Sequence, residues 1–262
     1  MSLRAVAAVS AREVLKMGRQ RGRLLAALVR PLLWLLVIGA GYASLANAHG
    51  ASTYQQFLVP GVIGMTLLFG AMLAALSTVY DKESGVMRML IIAPIAHYWI
   101  VFAKALGAVI VALVQALVLL GVLALLQFVH VPASMLLLVA GLLGTALACA
   151  SLGMLIAAWS GTVENFATLM NLVIFPLFFL SGSLYPVERL PPVLRGIATL
   201  NPYTHGVDLL RHAGLSGPSE GAFSVGIDLA WLICFSVVAL TVAAFRFENA
   251  GANESLVHRL AK

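Results

Sequence analysis

The chain has 262 residues, 61% of them hydrophobic and 10% charged, with a formal net charge of +6. Soluble domains average roughly 45–50% apolar and ~25% charged residues, so this composition excludes an ordinary soluble globule. Two cysteines, Cys149 and Cys234, both inside apolar runs, exclude a disulfide framework.

In chain order, residues 3–28 read as a basic amphipathic helix, with Val6, Val9, Val14, Leu15, Leu24 and Leu25 interleaved with Arg and Lys. Such a helix lies in the membrane interface, apolar face to lipid and cations to headgroups. Pro31–Ala46 is the first apolar run, and Pro31 suits a first helical turn. Ser44–Ala48 looks like a secretory cleavage site, but the basic region before it is too long for a signal peptide, so no cleavage is expected. Five further runs follow: Phe57–Val79, Ile100–Val129, Pro132–Ala158, Phe166–Ser181 and Val225–Phe245. Crossing ~30 Å of hydrocarbon takes ~20 mostly apolar residues as helix. Continuous apolar runs select helices over a closed barrel. The expectation is an all-α, polytopic membrane protein with six transmembrane helices in one transmembrane domain over 1–262.

The second–third connection, residues 80–98, reads as a short amphipathic helix. Asp81 and Glu83 precede Arg88, Val86, Met89 and Leu90 share a face, and Pro94 ends it. Short turns join the third to the fourth span near His130 and the fourth to the fifth at Ser160–Asn165. The fifth–sixth connection, residues 182–226, alternates Pro-rich punctuation with an apolar piece, Val193–Leu200, and a short helix, Val207–Ala213. This pattern predicts segments that dip into the outer leaflet. His205, Asp208, Arg211 and His212 read as a solvated ion-pair face of that helix.

Thirteen of the sixteen Lys and Arg fall on one side if both termini are cytoplasmic and six spans are crossed, which satisfies the positive-inside bias. The basic charge is therefore topological, and no nucleic-acid partner is expected. No phosphate-cradling glycine motif and no metal-ligand histidine spacing occurs. No span carries an ionisable residue at its centre, which ion-coupled carriers generally need. Gln115, Thr145, Ser151 and Asn171 read as helix-bridging polar groups. The energy for transport must come from a motor docking on cytoplasmic loops. A stand-alone secondary carrier or channel is the alternative, and a membrane-embedded lipid enzyme a third.

Two separated blocks then resemble type-2 ABC transporter permeases, in the branch holding drug-export and nodulation-factor-export permeases. The first runs Glu83-Ser84-Gly85, Met89-Leu90, Ala93-Pro94-Ile95 and Lys104; the second runs Phe175–Gly182, Pro186, Leu190-Pro191, Asn201-Pro202 and Asp208–Arg211. Ala103 stands where the family has Gly before the lysine, and Ile91-Ile92 blurs its leucine pair. The resemblance covers nearly the whole chain. It implies an exporter subunit, itself no enzyme and binding no cofactor, in the cell inner membrane. It also implies pairing with a second copy and two ABC ATP-binding subunits that carry ATP and magnesium. By resemblance, Asp81, Lys82, Glu83, Ser84, Gly85, Arg88 and Pro94 form the ATPase-coupling segment, and Arg12, Lys16 and Arg19 belong to the interface helix (1–29). Pro176, Ser181, Gly182, Pro186, Asn201, Pro202, Asp208 and Arg211 form an outer-mouth motif with re-entrant helices, and membrane lipid surrounds the whole.

Overall fold

The computed structural model describes residues 10–12, 15, 21–45, 48–86, 97–129, 131–215 and 221–260. Six long helices carry the apolar runs: α1 (Arg21–Leu45), α2 (Ala48–Glu83), α3 (His97–Leu125), α4 (Met135–Trp159), α5 (Val163–Leu180) and α8 (Val225–Leu260). Two short helices, α6 (Pro192–Leu200) and α7 (Pro202–His212), lie between α5 and α8. The all-helical, membrane-spanning expectation is met: among the described residues, five helices are long and apolar enough to cross a bilayer. The apolar stretch of α1, Val29–Gly39, is shorter than these five.

Helix ends follow local chemistry. Ser134 and Thr162 cap α4 and α5 by accepting the N–H groups of Leu137 and Asn165. Gly85, at φ +76°, turns the chain out of α2 in the left-handed region where only glycine is unstrained. Two boundaries differ from the sequence reading. Residues 21–28 continue into the first span as part of α1, where the sequence reading set them in a separate interface helix. Helix α2 runs on through Asp81, Lys82 and Glu83, which the sequence reading gave to a separate short helix.

The spans are unequally buried. The α2 window, 89% buried, forms the centre, packed by α1, α3 and α4. In contrast, α5 and α8 present most of their surface outward, at 17% and 22% buried. Lipid supplies no hydrophobic drive between helices, so close approach of small residues does the packing. Gly153 meets Ala75, Gly141 meets Leu210 and Gly206 meets Thr145. The expected helix-bridging groups do not bridge. Ser151 bonds the Leu147 carbonyl of its own helix, Gln115 and the Thr145 hydroxyl are buried without hydrogen-bond partners, and Asn171 faces outward.

Candidate coupling surface and outer mouth

At the end of α2 three consecutive side chains reach in three directions. The Asp81 carboxylate is buried. It accepts from Lys104 Nζ on α3 at 2.6 Å and from Arg12 Nη2 at 3.1 and 3.2 Å. Beside it, Ser10 Oγ donates to the Ala103 carbonyl at 2.9 Å, so the N-terminal segment is fastened to both α2 and α3. Lys82 Nζ donates to the carbonyls of Ala157, Ala158 and Ser160 at 2.6, 3.2 and 3.3 Å, a cation on the negative end of α4. Glu83 Oε2 accepts the Val163 N–H at 3.1 Å, a carboxylate on the positive end of α5. Lys82 and Glu83 thus hold the two sides of the α4–α5 turn. Ser84 bonds the Tyr80 carbonyl. Lys16, Arg19, Arg88 and Pro94 lie outside the described residues.

The opposite end is built on α5. Pro176 interrupts its ladder, and its last carbonyls find side chains: Asn201 Nδ2 on Leu177 at 2.8 Å, Ser181 Oγ on Phe178 at 2.7 Å, and Tyr185 Oη on Phe179. Asn201 also caps α7 by accepting the Tyr203 N–H at 2.9 Å, with Pro202 at the first helical position. Gly182 sits at φ +77° and its carbonyl takes a short bond from Arg211 Nη2. The Arg211 guanidinium stacks 4.1 Å over Phe57, and burial holds its pKa down against the pull of Asp208, Glu188 and Tyr203. Pro186 precedes a turn of 3-10 helix, Val187–Arg189. Tyr203 Oη donates to the Gly61 carbonyl at 3.3 Å. A Cβ on Gly61 would stand 2.6 Å from the Ser183 carbonyl oxygen and 2.9 Å from its Cα. Backbone cannot yield cheaply, so Gly61→Ala is expected to destabilise the protein by ~1–3 kcal/mol, measurable by thermal unfolding in lipid.

The short helix begins at Pro202, five residues ahead of its expected start, and its polar residues are not solvated. From Pro202 to Arg211 every residue of α7 is buried, wedged among α2, α4 and α8. Asp208 accepts the Ala222 and Phe223 N–H groups at 2.7 and 2.9 Å. His205 Nε2 faces the Thr199 carbonyl at 2.9 Å and Nδ1 faces Asp228 Oδ1 at 2.8 Å. A carbonyl only accepts, so Nε2 carries a proton, and a second proton lies between Nδ1 and Asp228. The expected ion-pair face is a buried network because the apolar sides of three other helices enclose it.

One cation was also misplaced by the sequence. Arg30 reads as preceding the first span, yet its guanidinium lies 4.4 Å over the ring of Phe69, the middle of the Tyr54–Glu83 span. No carboxylate joins it among the described salt bridges, and an arginine does not give up its proton. A proton relay therefore still lacks its carrier.

Apolar helices long enough to span a bilayer, with a polar clasp at one end and the buried short helix α7 at the other, are the frame of a transport permease, the membrane subunit of an ABC exporter. The chain belongs to the ABC-2 type transporter family, which it matches over residues 4–215. It is 29% identical to the ycf38 transport permease of Porphyra purpurea over 213 residues, 79% of this chain and 72% of the relative. It is 28% identical to nodulation protein J of Rhizobium leguminosarum bv. viciae over 218 residues, 82% and 83% of the two chains. With the multidrug ABC transporter permease YbhR of Escherichia coli (strain K12) it shares 26% over 189 residues, 72% of this chain and 50% of the relative. Family membership implies association with an ABC ATP-binding subunit.

Proposed function

We propose that two copies of this chain, with two ATP-binding subunits, move an amphiphilic, glycan or drug-like molecule outward across the cell inner membrane. ATP and magnesium bind the partner subunits and none binds here. Six spans are crossed and both termini are cytoplasmic. The observation that carries this reading is the clasp at the end of α2. Asp81, Lys82 and Glu83 join the N-terminal segment, α3, α4 and α5 at one face. A motor pressing there acts on four elements at once, and a cargo path between two copies needs no charged carrier group.

The test is purification of the chain from its native membrane in gentle detergent. A stoichiometric partner carrying a P-loop is expected to accompany it. Glu83→Arg sets a cation against the positive end of α5, and is expected to lose both the partner and ATP-driven transport while membrane insertion persists. Ion-driven flux in liposomes holding this chain alone would instead establish a stand-alone carrier.

A further inference from the structure

The buried network of α7 holds one acceptor that nothing satisfies. Asp228 has no exposed surface, and its Oδ2 has no hydrogen-bond partner. That oxygen lies 3.9 Å from His212 Nδ1, which lies 4.0 Å from Asp208 Oδ2. One ligand atom from each of the three residues falls within 4.8 Å of the others. Such distances are too long for hydrogen bonds. They fit the edges of a metal-ligand triangle: with two edges of 3.9 and 4.0 Å and the third no more than 4.8 Å, a point equidistant from the three atoms stands at most ~2.5 Å from each, within a small side-chain shift of the ~2.0–2.2 Å of zinc–nitrogen and zinc–oxygen bonds. The neighbouring backbone leaves room. A Cβ on Gly221 would stand 2.6 Å from His212 Nδ1 and 2.7 Å from Asp208 Oδ2, so glycine keeps open a space that any other residue would fill.

We propose that Asp208, His212 and Asp228 form a divalent-metal site at the outer mouth, of the two-carboxylate, one-imidazole kind that takes zinc. Hard oxygen and borderline nitrogen donors together suit zinc better than calcium or magnesium, which take oxygen alone. Asp208 keeps its two backbone N–H bonds while ligating, because a carboxylate offers about four lone-pair positions. Those bonds, and His205 on the far oxygen of Asp228, aim the carboxylates as supporting groups do around metals. His212 Nδ1 now faces the Asp208 main-chain oxygen at 3.0 Å. Binding replaces that contact and releases the Nδ1 proton. The His212 side chain is 20% exposed, which gives the ion a way in and leaves a coordination position for water. The bound ion ties α7 to the first turn of α8.

Zinc is titrated into the tag-free chain in lipid nanodiscs, and cobalt is substituted as an optical probe. One zinc per chain is expected, with cobalt bands lacking the intense thiolate absorption that Cys149 or Cys234 would add. Binding is expected to weaken about tenfold or more in Asp228→Asn, His212→Ala and Gly221→Ala. His212 is the partly exposed member, so its substitution spares the fold if that of Asp228 does not. No saturable zinc in the wild-type chain, or zinc content unchanged in His212→Ala and Gly221→Ala, overturns the site.

Discussion

Asp81→Leu is expected to cost ~3–5 kcal/mol of stability, because it removes the carboxylate paired with the Lys104 ammonium in a site where that side chain is 1% exposed. Arg12 loses the same partner, but its side chain is 45% exposed and water compensates it. The double variant Asp81→Leu/Lys104→Met is expected to recover most of the loss, since a well-packed apolar pair often replaces a buried ion pair without penalty. Denaturation of the purified chain in lipid, with Lys104→Met as the second single variant, would complete the double-mutant cycle. Equal stability of Asp81→Leu and wild type would mean that the ammonium finds water, and that the clasp is not dry. Transport need not follow stability here. The double variant keeps α2 and α3 together yet unhooks Arg12 from α2, leaving the N-terminal segment held to α3 by Ser10, so it separates folding from the α2 side of the clasp.

Arg30→Leu is expected to act in the opposite direction. An arginine at the centre of a transmembrane helix costs ~2.5–3.5 kcal/mol on insertion scales, whereas a guanidinium over an aromatic face returns ~0.5–2. Arg30 is exposed beside Phe69, so the substitution is expected to raise the stability of the isolated chain by ~1–2 kcal/mol, readable in the same unfolding assay. Lower stability instead would show that the assembled protein or its lipid supplies an anion to this guanidinium.

The spans were legible because each apolar run is its own evidence: helix length and lipid thickness fix the reading without knowledge of neighbours. The helix caps Ser134, Thr162 and Asn201 act within three residues of their own position, so the signal was local, although the sequence reading named none of them as a cap. What failed depended on contacts distant in the chain. His205, Asp208 and Arg211 carry a solvent-facing pattern, and only Asp228, Gly182 and the apolar sides of α2, α4 and α8 turn that pattern inward. Two signals were present: Gly206 on the same helix allows contact with Thr145, and Asp228 opens an otherwise apolar span. Neither names its partner. Arg30 was read as a boundary because Pro31 follows it, but a proline in the first turns of an already formed helix need not start one, and α1 passes through it. Lys82 and Glu83 were singled out by their place in a motif; that they hold the ends of α4 and α5 could not be read from spacing, because their partners are backbone groups some eighty residues away.

The helix α5 is pinned at both tips and nearly bare between them. Glu83 holds its first N–H, that of Val163, while Asn201, Ser181 and Tyr185 hold its last carbonyls. Along its length only Phe166, Ile174 and Phe178 are fully enclosed. A rod so mounted behaves as a rocker arm. Tilting it about its ends disturbs few interlocked side chains, whereas shifting α2 would break the packing of three neighbours, and tightly packed interiors resist small displacements. On the coupling role proposed for Glu83, force delivered there would cross ~27 Å to the outer loop, at 1.5 Å per residue over eighteen residues, with Pro176 the softer point on the way. On that role a single helix would place the two faces of the membrane mechanically in series.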